Sequence, residues 1–400
     1  MKDMLLGNVI EPARIEEMIP ERLTELAHEV IQKSENLAGK LHPVALEQLT
    51  DVTQIMNAYY SNLIEGHNTR PHEIKEALSG DFSDDDEKRA LQEEAVAHVH
   101  LQREIDQSAR KGELEDPTTP DFILRLHKEF CKDLPEEFLW IRDANGNKQF
   151  KMVPGEFRKT EVAVGEHVAP PHEDIQQLLD YFNLRYGRQK MGSIAKVLAI
   201  PAAHHRFLFI HPYPDGNGRV ARLMSHAMCL RAGIGAGGLW SISRGLARGL
   251  GGVVGQAQYK EHLKRADARR SSATDGRGVR SNSALIAFTE WFLQIMIDQI
   301  DFMGALYDFD TLNVRLERYA KLKDLHDTAP KLLRHILVNG EVPRGDVAGI
   351  LGTSPRLSRV IMSEMLKDGI IGSATARGVL SLRFPPNEHD LLFPRLFIEA

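Results

Sequence analysis

The chain has 400 residues, 42% of them hydrophobic, and a formal net charge of −6. This length exceeds one ordinary domain and can bury a sizeable core, so we expect at least two folded units. The negative net charge argues against a surface that is basic throughout, and any contact with nucleic acid would therefore be local.

Cysteine usage and the hydrophobic pattern indicate a cytoplasmic protein without a membrane partner. Cys131 and Cys229 are the two cysteines, too few and too isolated for a disulfide framework or a zinc site. Residues 1–6 lack the long apolar stretch of a signal peptide. No run of the sequence approaches membrane-spanning length.

Helical periodicity dominates the first three quarters of the chain. Two short alternating runs, 148–153 and 161–164, flank Pro154-Gly155 and predict a β-hairpin between them. The segment 264–280 carries six Lys/Arg against two Asp and predicts a solvated loop. Apolar residues recur every three to four positions, as in helices, near 20–38, 44–65, 86–111, 120–131, 172–186, 193–210 and 283–306.

Beyond about residue 310 the predicted elements follow the order helix, helix, turn, helix and hairpin. Their approximate positions are 331–338, 344–351 and 354–367 for the helices, then 370–373 and 378–383 for the strands. This order resembles a winged helix-turn-helix domain. The sequence thus predicts a mainly α protein with a short β-hairpin and a C-terminal winged helix-turn-helix domain.

DNA contact is one function for such a domain. Candidate side chains lie on the third helix, at Arg356, Ser358 and Arg359, and at the hairpin tip, at Arg377. Winged helices also serve as dimerisation or protein-docking modules, and the local excess of basic residues is modest. Both functions stay open.

The richest chemistry lies between residues 211 and 222. His211 titrates near neutral pH and can take a proton from an attacking hydroxyl. Asp215 offers a hard oxygen ligand suited to Mg²⁺ that carries a polyphosphate. Gly216-Asn217-Gly218 can turn successive N–H groups toward an anion, and the helical spacing that follows places them at a helix N-terminus. Arg219 and Arg222 share one side of the first turn and can clamp phosphate oxygens.

A Gly-Asn-Gly run alone is typical of an ordinary tight turn between helices. The whole stretch from His211 to Arg222 resembles the signature of the Fic family, His-x-Phe-x-(Asp/Glu)-Gly-Asn-Gly-Arg-x-x-Arg. Its single departure is Tyr213 in place of the usual Phe, which keeps the ring and adds a polar tip. The resemblance covers most of residues 40–300.

The family resemblance implies an all-helical core and transfer of AMP from ATP to a Tyr, Ser or Thr hydroxyl of a target protein. It implies that His211 is the base, that Asp215 holds Mg²⁺, and that the two arginines stabilise the pyrophosphate leaving group. The nucleotide would contact Gly216, Asn217, Gly218, Arg219, Val220, Ala221, Arg222 and, on a later helix, Tyr259. An intact glycine nest and second arginine favour AMP over the phosphate or phosphocholine that some relatives transfer.

Two further segments are similar to parts of Fic proteins. Pro154, Gly155, Glu156, Phe157 and Arg158 look like the flap, a hairpin that binds the target protein by β-augmentation. Ser61 and Glu65, four apart on one helical face before Gly66, resemble the inhibitory motif (Ser/Thr)-x-x-x-Glu-(Gly/Asn). That motif implies that Glu65 reaches Arg222 and fills the space of the γ-phosphate. In some Fic enzymes the same Glu supports removal of AMP.

Three regions follow from these patterns. Residues 1–110 are expected to form an N-terminal helical region with the inhibitory helix, 111–310 the catalytic domain, and 311–400 the winged helix-turn-helix domain. The leading hypothesis is a self-inhibited adenylyltransferase that modifies a target protein or itself. The alternative is a nucleotide-sensing, DNA-binding transcriptional regulator, and a homodimer is compatible with either.

Overall fold

The computed structural model describes residues 7–15, 18–39, 42–143, 145–187, 191–252 and 255–397, so the signal-peptide expectation for residues 1–6 lies outside it. The fold is mainly α. Its larger, N-terminal part comprises α1 Glu21–Ala38, α2 Pro43–Ile64, α3 Pro71–Leu78, α4 Asp86–Lys111, α5 Pro120–Cys131, β1 Trp140–Arg142, β2 Lys148–Lys151, β3 Ala163–Val164, β4 His167–Val168, α6 Ile175–Tyr186, α7 Ser193–Ile210, α8 Asn217–Arg231, α9 Ile242–Arg248, α10 Gly255–Ala266 and α11 Asn282–Leu306.

The predicted helices of this part are present, and capping side chains set the start of some of them. Thr119 Oγ1 accepts the backbone N–H of Phe122 at the start of α5, and Asp85 accepts that of Lys88 at the start of α4. α7 and α8 pack together at the centre of the core, and α2 packs against α4 and α9. Among the described residues, no helix is both long and apolar enough to cross a membrane.

The predicted hairpin between 148–153 and 161–164 is wrong. β2 pairs antiparallel with β1, and β3 pairs antiparallel with β4. Each run pairs with the strand next to it in the sequence. Between β1 and β2 a tight turn brings the strands together, because Asp143 Oδ1 accepts the backbone N–H groups of Asn145 and Asn147. Local turn closure costs less entropy than joining two runs across a Pro-Gly break.

Most of the segment 264–280 is exposed, as predicted for a solvated loop, but its C-terminal end is anchored. The backbone N–H of Arg280 donates to Glu11 O at 2.9 Å, and that of Val279 donates to Asn8 O at 3.2 Å. The Arg280 guanidinium lies 4.2 Å from the centre of the Phe209 ring. Residues 7–15 therefore hold the far end of this loop against the core.

The C-terminal part contains the three predicted helices and an additional strand. Its elements are α12 Phe309–Leu322, α13 Ala329–Asn339, β5 Glu341–Val342, α14 Val347–Leu351, α15 Pro355–Asp368, β6 Ile371–Gly372, β7 Leu380–Leu382 and α16 His389–Leu392. The three strands form one antiparallel sheet in the order β5-β7-β6. Sequence patterns missed β5 because two residues carry no periodicity.

Residues after α16 dock on α2, the helix that carries Ser61 and ends just before Glu65. Tyr60 Oη donates to Leu396 O at 2.9 Å, and Arg244 Nη2 donates to Arg395 O at 3.0 Å. Phe397 makes an edge contact with Tyr59 at 5.8 Å between ring centres. Leu396 is fully buried. The C-terminal segment is thus part of the packing around α2.

Truncation of Leu396 tests this docking. Leu396→Ala is expected to lower the free energy of unfolding by about 2–5 kcal/mol, because a buried leucine leaves a cavity. Leu357→Ala is the matched control, since Leu357 is 38% exposed. Denaturant titration of both variants checks the prediction, and equal small losses would contradict docking.

Candidate functional site

The turn between α7 and α8 is held by its own side chains. His211 ends α7 in the left-handed region with φ 50°, and Gly216 precedes α8 with φ 82°. The Asn217 side chain closes the turn, because its amide nitrogen donates to Tyr213 O at 2.8 Å and its oxygen accepts Tyr213 N–H at 3.0 Å. Asn217 therefore fixes the shape of the turn with its side chain and leaves only its backbone for an anion.

The N-terminus of α8 is a ready anion site. The first helical hydrogen bond runs from Val220 N–H to Gly216 O at 3.0 Å, so the amides of 217–219 precede the hydrogen-bond ladder. Unpaired amides and the helix dipole attract negative charge there. A Cβ at Gly218 would overlap Oε1 of Glu65. The Glu65 carboxylate therefore sits against the backbone where an anion would bind.

Arg222 is enclosed by the end of α2. Its Nε donates to Ser61 Oγ at 2.9 Å, and its Nη2 donates to Ser61 O at 3.0 Å and to Glu65 Oε1 at 2.6 Å. The Arg222 side chain is 1% exposed. Burial opposes ionisation of Glu65, yet Arg222 and Arg219 hold the pKa of this carboxyl below its usual value. The Glu65 carboxylate is therefore ionised at neutral pH.

Arg219 lies beside Arg222 and contacts two carboxylates. Its Nη2 is 3.2 Å from Asp215 Oδ2, and its Nη1 forms an ion pair with Glu94. Its guanidinium lies 5.0 Å from the centre of the Phe130 ring. Burial lowers the pKa of Arg219 to about 10, and the side chain is still a cation at neutral pH. Two cations thus face the N-terminus of α8.

The Asp215 side chain is suited to binding a metal ion that is already coordinated by phosphate oxygens. Its side chain is 56% exposed and offers hard carboxylate oxygens. Within the described ranges no three His, Cys, Asp or Glu side chains gather into a metal-binding group. A single exposed carboxylate suits Mg²⁺, which commonly takes one or two protein carboxylates together with phosphate oxygens and water.

His211 is held in its basic form. Burial, followed by the neighbouring His167, lowers its pKa to about 4, so the imidazole is neutral at pH 7 and can accept a proton. The next aromatic residue, Tyr213, is fully buried and stacks on His127 with ring centres 3.8 Å apart. Because His127 lies on α5, this stacking contact packs the turn between α7 and α8 against α5.

The segment 154–158 is tied to this turn but forms no strand. Gly155 N–H donates to His127 Nδ1 at 2.9 Å. Arg158 is buried, and its Nε donates to His211 O at 2.9 Å. Glu156 is exposed, whereas Pro154 and Phe157 are half-buried. Arg158 thus supports the backbone at His211 from the interior. The exposed surface of the segment is formed by its other residues.

Tyr259, Val220 and Ala221 lie in the interior next to the site. The Tyr259 hydroxyl is 2.6 Å from His204 Nε2, and burial raises the pKa of Tyr259. Gln256, one turn earlier on α10, donates to Leu63 O at 2.8 Å. α10 therefore braces the end of α2. Val220 and Ala221 are fully buried, so only their backbone can face a ligand.

The C-terminal candidates divide by burial. Arg356, Arg359 and Arg377 are exposed. Ser358 is 5% exposed, and its hydroxyl donates to Pro355 O at 3.1 Å. The sequence prediction of Ser358 as a contact residue is therefore corrected, because one helical position places it on the inner face of α15 between two outward arginines.

Several residues of the site carry no sequence signal. Glu94, His67 and His127 contact the site from α4, the end of α2 and α5. Glu94 follows Glu93 in a charged helix, and nothing in the spacing distinguishes the buried glutamate from the exposed one. His127 occurs at an apolar helical position, which marks burial but not a partner.

A model of the Fic/DOC family matches residues 117–229. The chain is 25% identical over 222 residues to a protein adenylyltransferase Fic from Nematostella vectensis, across 53% of this chain and 47% of that protein. It is 39% identical over 79 residues to a protein of the same name from Drosophila grimshawi, across 20% and 16% of the two chains. The chain thus covers less than half the length of these curated relatives.

Solved structures share the fold. A Fic family protein from Desulfovibrio desulfuricans G20 superposes with a TM-score of 0.51 at 16% identity, covering 92% of this chain and 98% of that one. A Fic domain containing signalling protein from Bacteroides thetaiotaomicron superposes with a TM-score of 0.50 at 20% identity, covering 70% and 95%. At these identities the similarity concerns the fold.

Removing one hydroxyl from each of two buried tyrosines should change stability in opposite directions. The Tyr213 hydroxyl is buried without a hydrogen-bond partner among the described residues, so Tyr213→Phe is expected to raise the free energy of unfolding by about 1 kcal/mol. Tyr60→Phe loses the bond to Leu396 O and is expected to lower it by about 1 kcal/mol. Thermal and urea unfolding measure both, and a loss of stability in Tyr213→Phe would disprove the unpaired hydroxyl.

Proposed function

Since residues 117–229 make this chain a member of the Fic/DOC family, we propose that it is a self-inhibited protein adenylyltransferase. It transfers AMP from ATP to a Tyr, Ser or Thr hydroxyl of a target protein or of itself. The observation that carries the proposal is the Glu65 carboxylate, which contacts both Arg222 and the anion site at Gly218. An anion site blocked by an internal anion is what an inhibited nucleotide enzyme requires.

The triphosphate would replace Glu65. The α-phosphate would take the backbone amides of 217–219, and Arg219 and Arg222 would bind the oxygens beyond it. Asp215 would hold Mg²⁺, which supplies charge neutralisation on the phosphates. Exchange of one anion for another keeps the buried Arg222 paired throughout, so the site never bears the cost of an isolated buried charge.

His211 would act as the general base. Its neutral imidazole takes the proton of the target hydroxyl, and the hydroxyl oxygen forms a bond to the α-phosphorus. The bond from that phosphorus to the bridging oxygen breaks, and pyrophosphate leaves in line. Such a reaction depends mainly on positioning and charge stabilisation. The target segment would lie along Pro154, Gly155, Glu156 and Phe157, with Arg158 fixing this surface relative to His211.

Transfer of radiolabel from ATP tests the activity and its brake together. Wild type, Glu65→Gly and His211→Ala are incubated with Mg²⁺ and ATP labelled at the α- or the γ-phosphate. We expect protein labelling from the α-position alone. Glu65→Gly should raise it by about a hundredfold, since misplacement by an ångström costs that much, and His211→Ala should abolish it.

Two surface variants control this experiment. Glu113→Gly makes the same substitution at an exposed loop residue, and His28→Ala removes an exposed histidine of α1. Both should label as wild type does. Label from the γ-position would instead mean phosphoryl transfer. Equal labelling of Glu65→Gly and wild type would refute the brake, and decay of the label in a chase with unlabelled ATP would reveal removal of AMP.

A second function, local DNA binding, is favoured by the surface of α15. Arg356 and Arg359 are three residues apart, so they share one exposed face, and Arg377 lies on the turn before β7. The arrangement of α13, α14, α15 and the β5-β7-β6 sheet supports a winged helix-turn-helix interpretation. Leu357 and Val360 are also exposed on α15, which suits protein docking. The regulator hypothesis depends on which partner this face takes.

Salt dependence separates the two partners. If the face binds DNA, affinity for a mixed-sequence duplex should fall steeply with salt, and replacing both Arg356 and Arg359 by Ala should reduce the log–log slope by about two. Arg318→Ala, at an exposed position of α12, is the control. Absence of retention on DNA at low salt would favour docking of a protein.

A further inference from the structure

Glu94 connects the two halves of the site. It lies on α4, its side chain is 1% exposed, and its two carboxylate oxygens have different partners. One oxygen forms the ion pair with Arg219 Nη1, and the other is 2.6 Å from His67 Nδ1. Glu94 thus joins Arg219 to His67, two residues beyond Glu65, whereas Glu65 itself pairs with Arg222.

On the first side, Glu94 limits where Arg219 can point. The guanidinium lies between the Glu94 carboxylate and the Asp215 carboxylate and rests on the Phe130 ring. Asp215 is exposed and can turn toward a metal, whereas Glu94 is enclosed and stays in place. If Asp215 turned toward a metal, the enclosed ion pair with Glu94 would still hold Arg219.

On the second side, Glu94 anchors the turn that carries Glu65. Because a carboxylate oxygen accepts only, the proton lies on His67 Nδ1, which donates to Glu94. The backbone N–H of His67 donates to Asn62 O at 3.0 Å, so His67 is fastened to the last turn of α2 as well. Burial and Arg219 lower the pKa of His67.

We propose that Glu94 is a positioning residue with two effects: it orients Arg219 for the phosphates beyond the α-phosphate, and through His67 it keeps Glu65 in its inhibitory place. This inference rests on the proposed function for its nucleotide. Single and combined substitutions can separate the two effects. A Glu94 variant should impair ATP binding even after Glu65 is removed, whereas a His67 variant should matter only while Glu65 is present.

Comparing ATP with AMP isolates the first effect. Calorimetric titrations use the Glu65→Gly, His211→Ala double variant, in which the brake is absent and turnover is blocked, with and without Glu94→Gln. Loss of one oriented, charge-assisted contact should weaken ATP binding about tenfold, and AMP, which lacks the β- and γ-phosphates, should bind within about twofold of the parent. A merely structural role would weaken both nucleotides alike.

Glu93→Gln is the matched control. It makes the same substitution one residue earlier, where the side chain is 21% exposed and pairs with Arg89 at 3.1 Å. Both affinities should stay at the parent values. Glu94→Asp, which keeps the charge on a shorter side chain, supplies the same comparison if thermal unfolding shows that Glu94→Gln fails to fold.

His67→Ala tests the second effect. In the otherwise wild-type chain it should raise α-phosphate labelling at least about threefold, because a turn freed from Glu94 holds Glu65 less firmly. In the Glu65→Gly chain it should have no further effect. His72→Ala, on α3, is the control. Unchanged labelling in the wild-type background would overturn the anchoring of the brake.

Each failure has its own signature. If the double variant binds ATP but neither wild type nor Glu65→Gly becomes labelled, the proposed function is contradicted. The comparison of Glu94→Gln with its parent can still be made in that case. Labelling with parallel changes in ATP and AMP affinity, or with no change in either, would overturn the positioning role. Absence of ATP binding in the parent double variant would overturn both.

Discussion

The burial of Arg222 is the constraint on which the rest of the site depends. A guanidinium that is 1% exposed must be paired, because an isolated charge in the interior costs several kcal/mol. The last turn of α2 supplies that pairing through Ser61 and Glu65. α2 is therefore a structural partner of α8. Any ligand that displaces Glu65 has to bring an anion of its own, and a polyphosphate is the natural one.

The position of Glu65 depends on how α2 packs in the interior, and several of the buried contacts of α2 are polar. Gln54 donates to Asp106 at 2.8 Å, Asp106 also pairs with His226 of α8 at 2.6 Å, and Thr53 meets the Tyr307 hydroxyl at 3.0 Å. These directional contacts fix the rotation and the register of the helix more tightly than apolar packing does. A shift by one residue would leave buried polar groups unpaired and would move Glu65 away from Arg222.

Sequence patterns predicted the helices and the signature motif better than they predicted the contacts between helices. Helical periodicity located α2, α4, α7 and α8 closely, because each is long and buries many apolar side chains. The pairing of the runs at 148–153 and 161–164 was predicted wrongly, since such short runs do not specify a partner, whereas the hairpin of the C-terminal strands β6 and β7 was predicted correctly. Glu94 was invisible because its role depends on the crossing of α4 over α8, which no local pattern encodes. Ser358 was misplaced because the inward face of a short exposed helix differs from the outward face by a single position.

One turn of α2 contacts both the C-terminal segment and Arg222, and this limits how independently the two contacts can change. Tyr60 holds Leu396 O, and the next residue, Ser61, holds Arg222. Contributions of adjacent residues in one contact network do not add. A partner that binds the C-terminal domain and loosens residues 393–397 would therefore act on the turn that carries Ser61. Because such coupling is reciprocal in binding free energy, a nucleotide that expels Glu65 would in turn alter how firmly that segment is held.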